Sequence, residues 1–244
     1  GYHLLESLVV FADVGDVLSA ELGTDRDTSS LSVDGPMAEG VPTDTRNLIL
    51  RAAQAMDVSA TFALDKHLPA AAGIGGGSSD AAAAMRLLSD LSGARIPSDR
   101  GLSLGADVPV CLLARAATMC GIGERVMAVD GLPPLPAVLV NPRVSVSTPD
   151  VFRTLKSKSN PKMDTVPEGG SLQDLVAWLE TQRNDLEPAA LHVQPVIDQV
   201  LKALDGALLA RMSGSGATCF GIYPDLGAAK SAAVRISEAH PAWW

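Results

Sequence analysis

One stretch decides more about this chain than any other: Pro69-Ala70-Ala71-Ala72-Gly73-Ile74-Gly75-Gly76-Gly77-Ser78-Ser79-Asp80-Ala81-Ala82-Ala83-Ala84. Four glycines lead into two serines and then into an alanine run that favours helix. A tight turn needs one or two glycines, and each further one costs roughly 0.5–1 kcal/mol relative to alanine. Such a cost points to backbone that must lie against something. Without Cβ atoms, N–H groups can close around an anion, and a helix starting behind them directs its positive end at the same point. The stretch therefore predicts a phosphate cradle. No Gly-Lys-Ser/Thr ends it, so it is not a Walker A loop. Ser78 stands where a dinucleotide fingerprint has its third glycine.

The flanks set the cradle between a strand and a helix. Val58, Ala60, Phe62 and Leu64 alternate with Ser59, Thr61, Ala63 and Asp65, the pattern of a half-buried strand. Ala84, Leu87, Leu88 and Leu91 form a helical stripe that ends near Gly93. One of Ser78 and Ser79 is expected to cap this helix, and the other to face a phosphate oxygen or Mg²⁺. Asp80 reads as a first-turn acid favoured by the helix dipole. Lys66 reads equally as a phosphate ligand and as a solvated strand-end lysine.

Elsewhere, Glu6–Ala20 reads as one or two strands, and the polar stretch from Thr24 to Asp44 as a loop or an edge region. Asp44 or Thr45 is expected to cap a helix that buries Leu48, Ile49, Ala52 and Met56. After Leu132-Pro133-Pro134, a plausible boundary, Leu135–Val146 reads as a strand and Arg153–Gly170 as a loop. Ser171 begins an S-x-x-D capping pattern, and Pro195 opens another helix. A strand over Ala207–Met212, a second glycine turn (Ser213-Gly214-Ser215-Gly216), a strand over Thr218–Tyr223 and a last helix to about His240 follow. Strands and helices mix without regular βαβ alternation, which favours an α+β fold.

A net charge of −9 argues against a broad nucleic-acid surface, which needs clustered Lys and Arg. No apolar run is long enough to span a bilayer. Cys111, Cys120 and Cys219 have neither metal-ligand spacing nor an even count, so a reducing, cytoplasmic compartment is expected.

The motif running from Pro69 through Gly73, Gly75, Gly76, Gly77, Ser78, Ser79 and Asp80 to Ala82 resembles the ATP-binding motif of the GHMP kinases. Ser213-Gly214-Ser215-Gly216 resembles that superfamily's third motif. The likeness covers nearly the whole chain. It is closest to the branch that acts on a cytidine-diphosphate-linked methylerythritol in isoprenoid precursor synthesis. It rests there on Gly1-Tyr2-His3, Asn47-Leu48-Ile49, Gly105-Ala106-Asp107-Val108-Pro109, Ser147-Thr148-x-x-x-Phe152 and Asn184-Asp185-Leu186-Glu187-Pro188.

The resemblance implies a two-domain α+β fold: residues 1–132 as the N-terminal ATP-binding domain and 133–244 as the C-terminal, substrate-side domain. It implies ATP with Mg²⁺, a small-molecule substrate, and transfer of the γ-phosphoryl group to the 2-hydroxyl of the methylerythritol unit. Asp107 matches the catalytic aspartate. Pro69, Ala70, Ala71, Ala72, Gly73, Ile74, Gly75, Gly76, Gly77, Ser78 and Ser79 match the triphosphate site. Tyr2 and His3 match residues that recognise the cytosine, and Thr148 and Phe152 a second wall of that pocket. The resemblance also implies a catalytic Lys and an Asn on a strand upstream of Gly1. The sequence begins at Gly1, so this chain alone is expected to fall short of full activity. A GHMP kinase with a different acceptor and a nucleotide-binding homologue without turnover stay open as alternatives.

Overall fold

A computed structural model of the chain describes residues 4–23, 28–157 and 159–244. Tyr2 and His3 lie outside the described residues. The chain forms two compact units. The first contains the residues through Ala70 together with Gly75–Val129, and the second Ala71–Ile74 together with Asp130–Trp244.

The first unit contains, in chain order, β1 (Leu5–Val9), β2 (Val17–Leu22), β3 (Ser30–Asp34), α1 (Leu48–Ala55), β4 (Ala60–Asp65), α2 (Gly76–Ser92), α3 (Val108–Leu113), β5 (Ala117–Gly121) and β6 (Arg125–Ala128). One sheet has the order β1-β5-β6 and is antiparallel throughout. The other has the order β2-β4-β3, with β4 antiparallel to β2 and parallel to β3. Side chains of a strand alternate between faces, and β4 follows this: Ala60, Phe62 and Leu64 are buried, while Thr61, Ala63 and Asp65 are exposed. Phe62 and Leu64 join Ile49, Met85, Leu88 and Val108 in the core. Burial of each large side chain contributes about 1.5–3 kcal/mol.

The Thr24–Asp44 stretch, expected as a loop or an edge region, supplies the edge strand β3. Two local readings change. Helix α1 is capped by Asn47 rather than Asp44 or Thr45. The Asn47 side chain accepts the Ile49 N–H at 2.9 Å and donates to the Pro42 carbonyl at 2.8 Å. Asp44 is used in the preceding turn, where it accepts the Arg46 N–H and guanidinium, and this moves the helix start onward. Helix α2 begins earlier than expected. Its cap is Gly75, in the left-handed region at φ 68°, so Ser78 and Ser79 lie inside the helix and cap nothing.

The second unit contains β7 (Ala137–Val140), α4 (Thr148–Thr154), α5 (Leu172–Thr181), α6 (Glu187–Val193), α7 (Val196–Ala203), β8 (Leu209–Met212), β9 (Cys219–Ile222) and α8 (Leu226–Ala239). Its sheet, β7-β9-β8, is antiparallel. Val151, Ile197, Val200, Leu204, Met212 and Tyr223 centre its core. The capping box forms as spaced: Ser171 Oγ accepts the Asp174 N–H at 3.2 Å, and Asp174 Oδ2 accepts the Ser171 N–H at 2.8 Å. Pro195 caps α7, and His240 ends α8. Among the described residues no helix is long and apolar enough to cross a membrane.

Candidate active site

In the first unit the site grows from the start of α2. The first in-helix bond runs from the Ser79 N–H to the Gly75 carbonyl at 2.8 Å. The N–H groups of Gly76, Gly77 and Ser78 precede it and have no acceptor within the helix. Gly75 is favoured as glycine by its left-handed backbone. Gly76 and Gly77 are not. A Cβ on Gly76 would sit 3.5 Å from Lys66 Nζ, and one on Gly77 3.8 Å from Leu48, both ordinary contacts. Glycine weakens a helix by about 0.8–1.0 kcal/mol relative to alanine. Nothing in the described structure offsets that cost at either position.

The segment Gly105-Ala106-Asp107-Val108-Pro109 lies beside this turn. Asp107 Oδ2 is 3.8 Å from where a Cβ of Gly75 would stand, and a Cβ on Gly105 would be 3.6 Å from Ser78 Oγ. Asp107 occupies the N-cap position of α3, yet its side chain makes no capping bond. The carboxylate is therefore not spent on the helix. Buried Val108 and Pro109 anchor the segment from one side. Gly123 presses on the other, where any Cβ would overlap the Ala106 carbonyl. Arg86 Nη1 donates to the Cys111 carbonyl at 2.9 Å and fastens α3 to α2. Asp107 is half-buried, and burial pushes its carboxyl above the usual aspartate range.

Lys66 and Asp80 correct their sequence readings. Lys66 is only 2% exposed, so it is not a solvated strand-end residue. Its Nζ lies 2.5 Å from Asp16 Oδ2 and 2.9 Å from Asp80 Oδ2, so two of its three donors are engaged inside the protein. Asp80 lies beyond the first turn of α2 and is buried, where a dipole-favoured surface acid would be exposed. Burial pushes its carboxyl up to about 6, against the opposing pull of Lys66. For Asp16 burial also raises the pKa, but the bonds from Lys66, Leu68 and His67 outweigh it and leave the group lowered.

In the second unit, residues 71–74 pack on the Ser213–Gly216 turn. Gly73 has φ 73°, and a Cβ there would stand 2.6 Å from the Gly216 carbonyl oxygen and 2.7 Å from both the Gly216 nitrogen and the Ser213 oxygen. Ser213 Oγ donates to the Gly73 carbonyl at 3.0 Å, and the Thr218 N–H donates to the Ala72 carbonyl at 3.1 Å. Asn184 Nδ2 reaches the Met212 and Gly214 carbonyls at 2.8 and 2.9 Å, and Glu187 Oε2 accepts the Met212 N–H at 2.9 Å. The Asn184–Pro188 segment thus clamps the turn. Thr148 Oγ1 and Ser215 Oγ lie 2.9 Å apart, which ties the exposed first residue of α4 to the same turn. Phe152, one helical turn after Thr148, is half-buried.

The predicted site residues are thus distributed. Pro69, Ala70, Gly75, Gly76, Gly77, Ser78, Ser79 and Asp107 belong to the first unit. Ala71, Ala72, Gly73, Ile74, Thr148 and Phe152 belong to the second. Sequence reasoning missed Asp16, whose only local signal is its place after Gly15 between two apolar segments. It also missed the clamping roles of Asn184 and Glu187.

Residues 47–121 match the GHMP kinases N-terminal domain, and residues 169–242 the GHMP kinases C-terminal region. The 4-diphosphocytidyl-2-C-methyl-D-erythritol kinase of Dinoroseobacter shibae is 56% identical over 250 residues, covering 100% of this chain and 85% of its own length. That of Ruegeria pomeroyi is 51% identical over 252 residues, covering 100% and 89%. A crystal structure of 4-(cytidine 5'-diphospho)-2C-methyl-D-erythritol kinase is similar at a TM-score of 0.73 and 31% identity, over 100% of this chain and 90% of that one. Homoserine kinase from Cytophaga hutchinsonii, at a TM-score of 0.62 and 19% identity over 95% and 83%, shares the fold.

Proposed function

The chain belongs to the 4-diphosphocytidyl-2-C-methyl-D-erythritol kinase family of the GHMP kinases, and from that membership we propose how its residues divide the reaction. It is a phosphotransferase that uses ATP. The acceptor is the 2-hydroxyl of the cytidine-diphosphate-linked methylerythritol, Asp107 is the catalytic residue, and the first turn of α2 holds the phosphates.

One observation carries the assignment of the cradle: Gly76 and Gly77, helical glycines that no internal contact requires, directly follow Gly75, and the Asp107 carboxylate, which caps nothing, lies beside the Gly75 position. The N–H groups of Gly76, Gly77 and Ser78 would bind phosphate oxygens at the positive end of a long helix. Mg²⁺ bound with the nucleotide would neutralise charge on its phosphates. Among the described residues no group of three or more His, Cys, Asp and Glu could hold a metal. The fitting arrangement is a metal carried mainly by phosphate oxygens and water.

An alcohol is nearly as weak an acid as water, whose pKa is about 15.7. An aspartate cannot deprotonate it in the ground state. Phosphoryl transfer passes through a loose transition state and asks little prior deprotonation of the nucleophile. Positioning then matters most, and orientation can contribute roughly 7–11 kcal/mol. Asp107 orients the hydroxyl and accepts its proton late. Partial burial makes this carboxylate a stronger base than an exposed one. Tyr2, His3, Thr148 and Phe152 are proposed to bind the cytidine end. The cysteines are free, and burial pushes the thiols of Cys111 and Cys219 up to about 12, which leaves them weakly reactive.

The test is Asp107→Asn in the full-length protein, followed by phosphate transfer from ATP. Loss of a general base typically costs 10²–10⁴-fold, so kcat should fall at least about 100-fold. A kcat within a few-fold of wild type refutes the assignment.

A further inference from the structure

Beneath the first turn of α2 lies a cluster the chemistry above does not use. Asp16 Oδ1 accepts the N–H groups of His67 and Leu68 at 2.6 and 2.8 Å, the two residues before Pro69. Its other oxygen meets Lys66 Nζ, and that ammonium reaches Asp80 within α2. All three side chains are nearly inaccessible. One cluster therefore grips both the entry to the glycine-rich loop and the helix at its exit. Lys66 Nζ also lies 3.5 Å from the Cβ position of Gly76, directly under the cradle.

Stability alone is a poor reason for this arrangement. Taking three charges out of water is expensive, and hydrophobic replacements of buried ion clusters are often neutral or stabilising. Held geometry is the better reason. The anion-binding amides converge only if the chain enters and leaves the loop at fixed points. Both points are fixed by hydrogen bonds of 2.5–2.9 Å to one buried group of atoms.

We propose that Asp16, Lys66 and Asp80 are positioning residues for the nucleotide: they set the span of the loop from Pro69 to Gly75 so that the first amides of α2 meet the phosphates. The proposal rests on the reading that this turn holds ATP. It predicts selective loss of nucleotide affinity, with the acceptor side untouched.

The experiment uses the full-length protein and calorimetric titration with a non-hydrolysable ATP analogue and Mg²⁺, alongside the KM of the acceptor. Lys66→Met/Asp80→Leu removes the bridge and leaves Asp16 on its two amides. It should weaken analogue binding at least tenfold, with the acceptor KM within twofold. Asp80→Asn keeps an oxygen for Lys66 and should stay within threefold of wild type. Asp16→Asn keeps the Lys66–Asp80 pair at matched charge, so it remains informative if the double variant does not fold. It should weaken binding at least fivefold. Analogue binding within twofold of wild type in a folded double variant or in Asp16→Asn overturns the proposal. So does an equal loss on the nucleotide and acceptor sides. Absence of analogue binding by the wild type removes the cradle reading itself, which is a separate failure.

Discussion

Replacing Gly73 by alanine tests whether the glycine loop is shaped by its packing or only by its backbone angles. Gly73 and Gly206 both sit in the left-handed region, at φ 73° and 82°, and both belong to the second unit. An L-residue in that region costs roughly 1–2 kcal/mol. A Cβ added to Gly206 would have nothing within 4 Å, so Gly206→Ala should cost about that amount and no more. At Gly73 the same methyl group meets three backbone atoms of the Ser213–Gly216 turn at 2.6–2.7 Å. Backbone cannot rotate aside as a side chain can. The turn must shift, and the bond from Ser213 Oγ to the Gly73 carbonyl is lost, a further cost of about 0.5–1.5 kcal/mol. Gly73→Ala should therefore cost about 1.5–3.5 kcal/mol in all. Trp178, Trp243 and Trp244 are the chain's three tryptophans and all lie in the second unit, so intrinsic fluorescence during urea unfolding reports that unit selectively. If the midpoint falls no further for Gly73→Ala than for Gly206→Ala, close packing of the two glycine turns does not hold this loop.

Two further predictions concern the first unit. Gly77→Ala should raise thermal stability by up to about 1 kcal/mol, because a Cβ fits there and alanine favours helix; the same change should weaken binding of an ATP analogue at least tenfold by calorimetry, and unchanged affinity would contradict the cradle. Asp107→Asn should melt higher than wild type at pH 7. A carboxyl raised by burial contributes stability that is complete below its unfolded pKa, near 3.8, and is lost as pH rises through the higher folded value. The variant's advantage should therefore shrink as pH is lowered toward 3.8, and a gap that is constant with pH would refute this cause.

The legible parts of the fold were those with a local signal. The alternation along β4 covers enough residues to fix which face is buried, and the Ser171 capping box is written within four consecutive positions. Helices α4 and α6 and strands β5 and β6 are each at most seven residues long, too short for a period to declare itself. Asp44 and Thr45 were the expected caps of α1, and Asn47, which caps it, is a residue type of similar capping power, so only the turn before the helix separates them. Lys66 could not be assigned from its neighbours because its partner Asp16 is 50 residues away. Gly73 was legible as unusual, but its reason lies 140 residues along, at Ser213. The cradle was legible from its glycines, but the rest of the candidate site was read from motif resemblance, and Asp107 in particular would have passed for an ordinary helix cap.

The membership of residues 71–74 bears on how such a protein can be taken apart or recombined. A cut at the boundary after Val129 yields a C-terminal piece without the four residues whose backbone fits against Ser213–Gly216. The halves are consequently not interchangeable modules. A chimaera joining the front of one homologue to the back of another inherits this tetrapeptide from the other parent, so its fit against Ser213–Gly216 has to be kept.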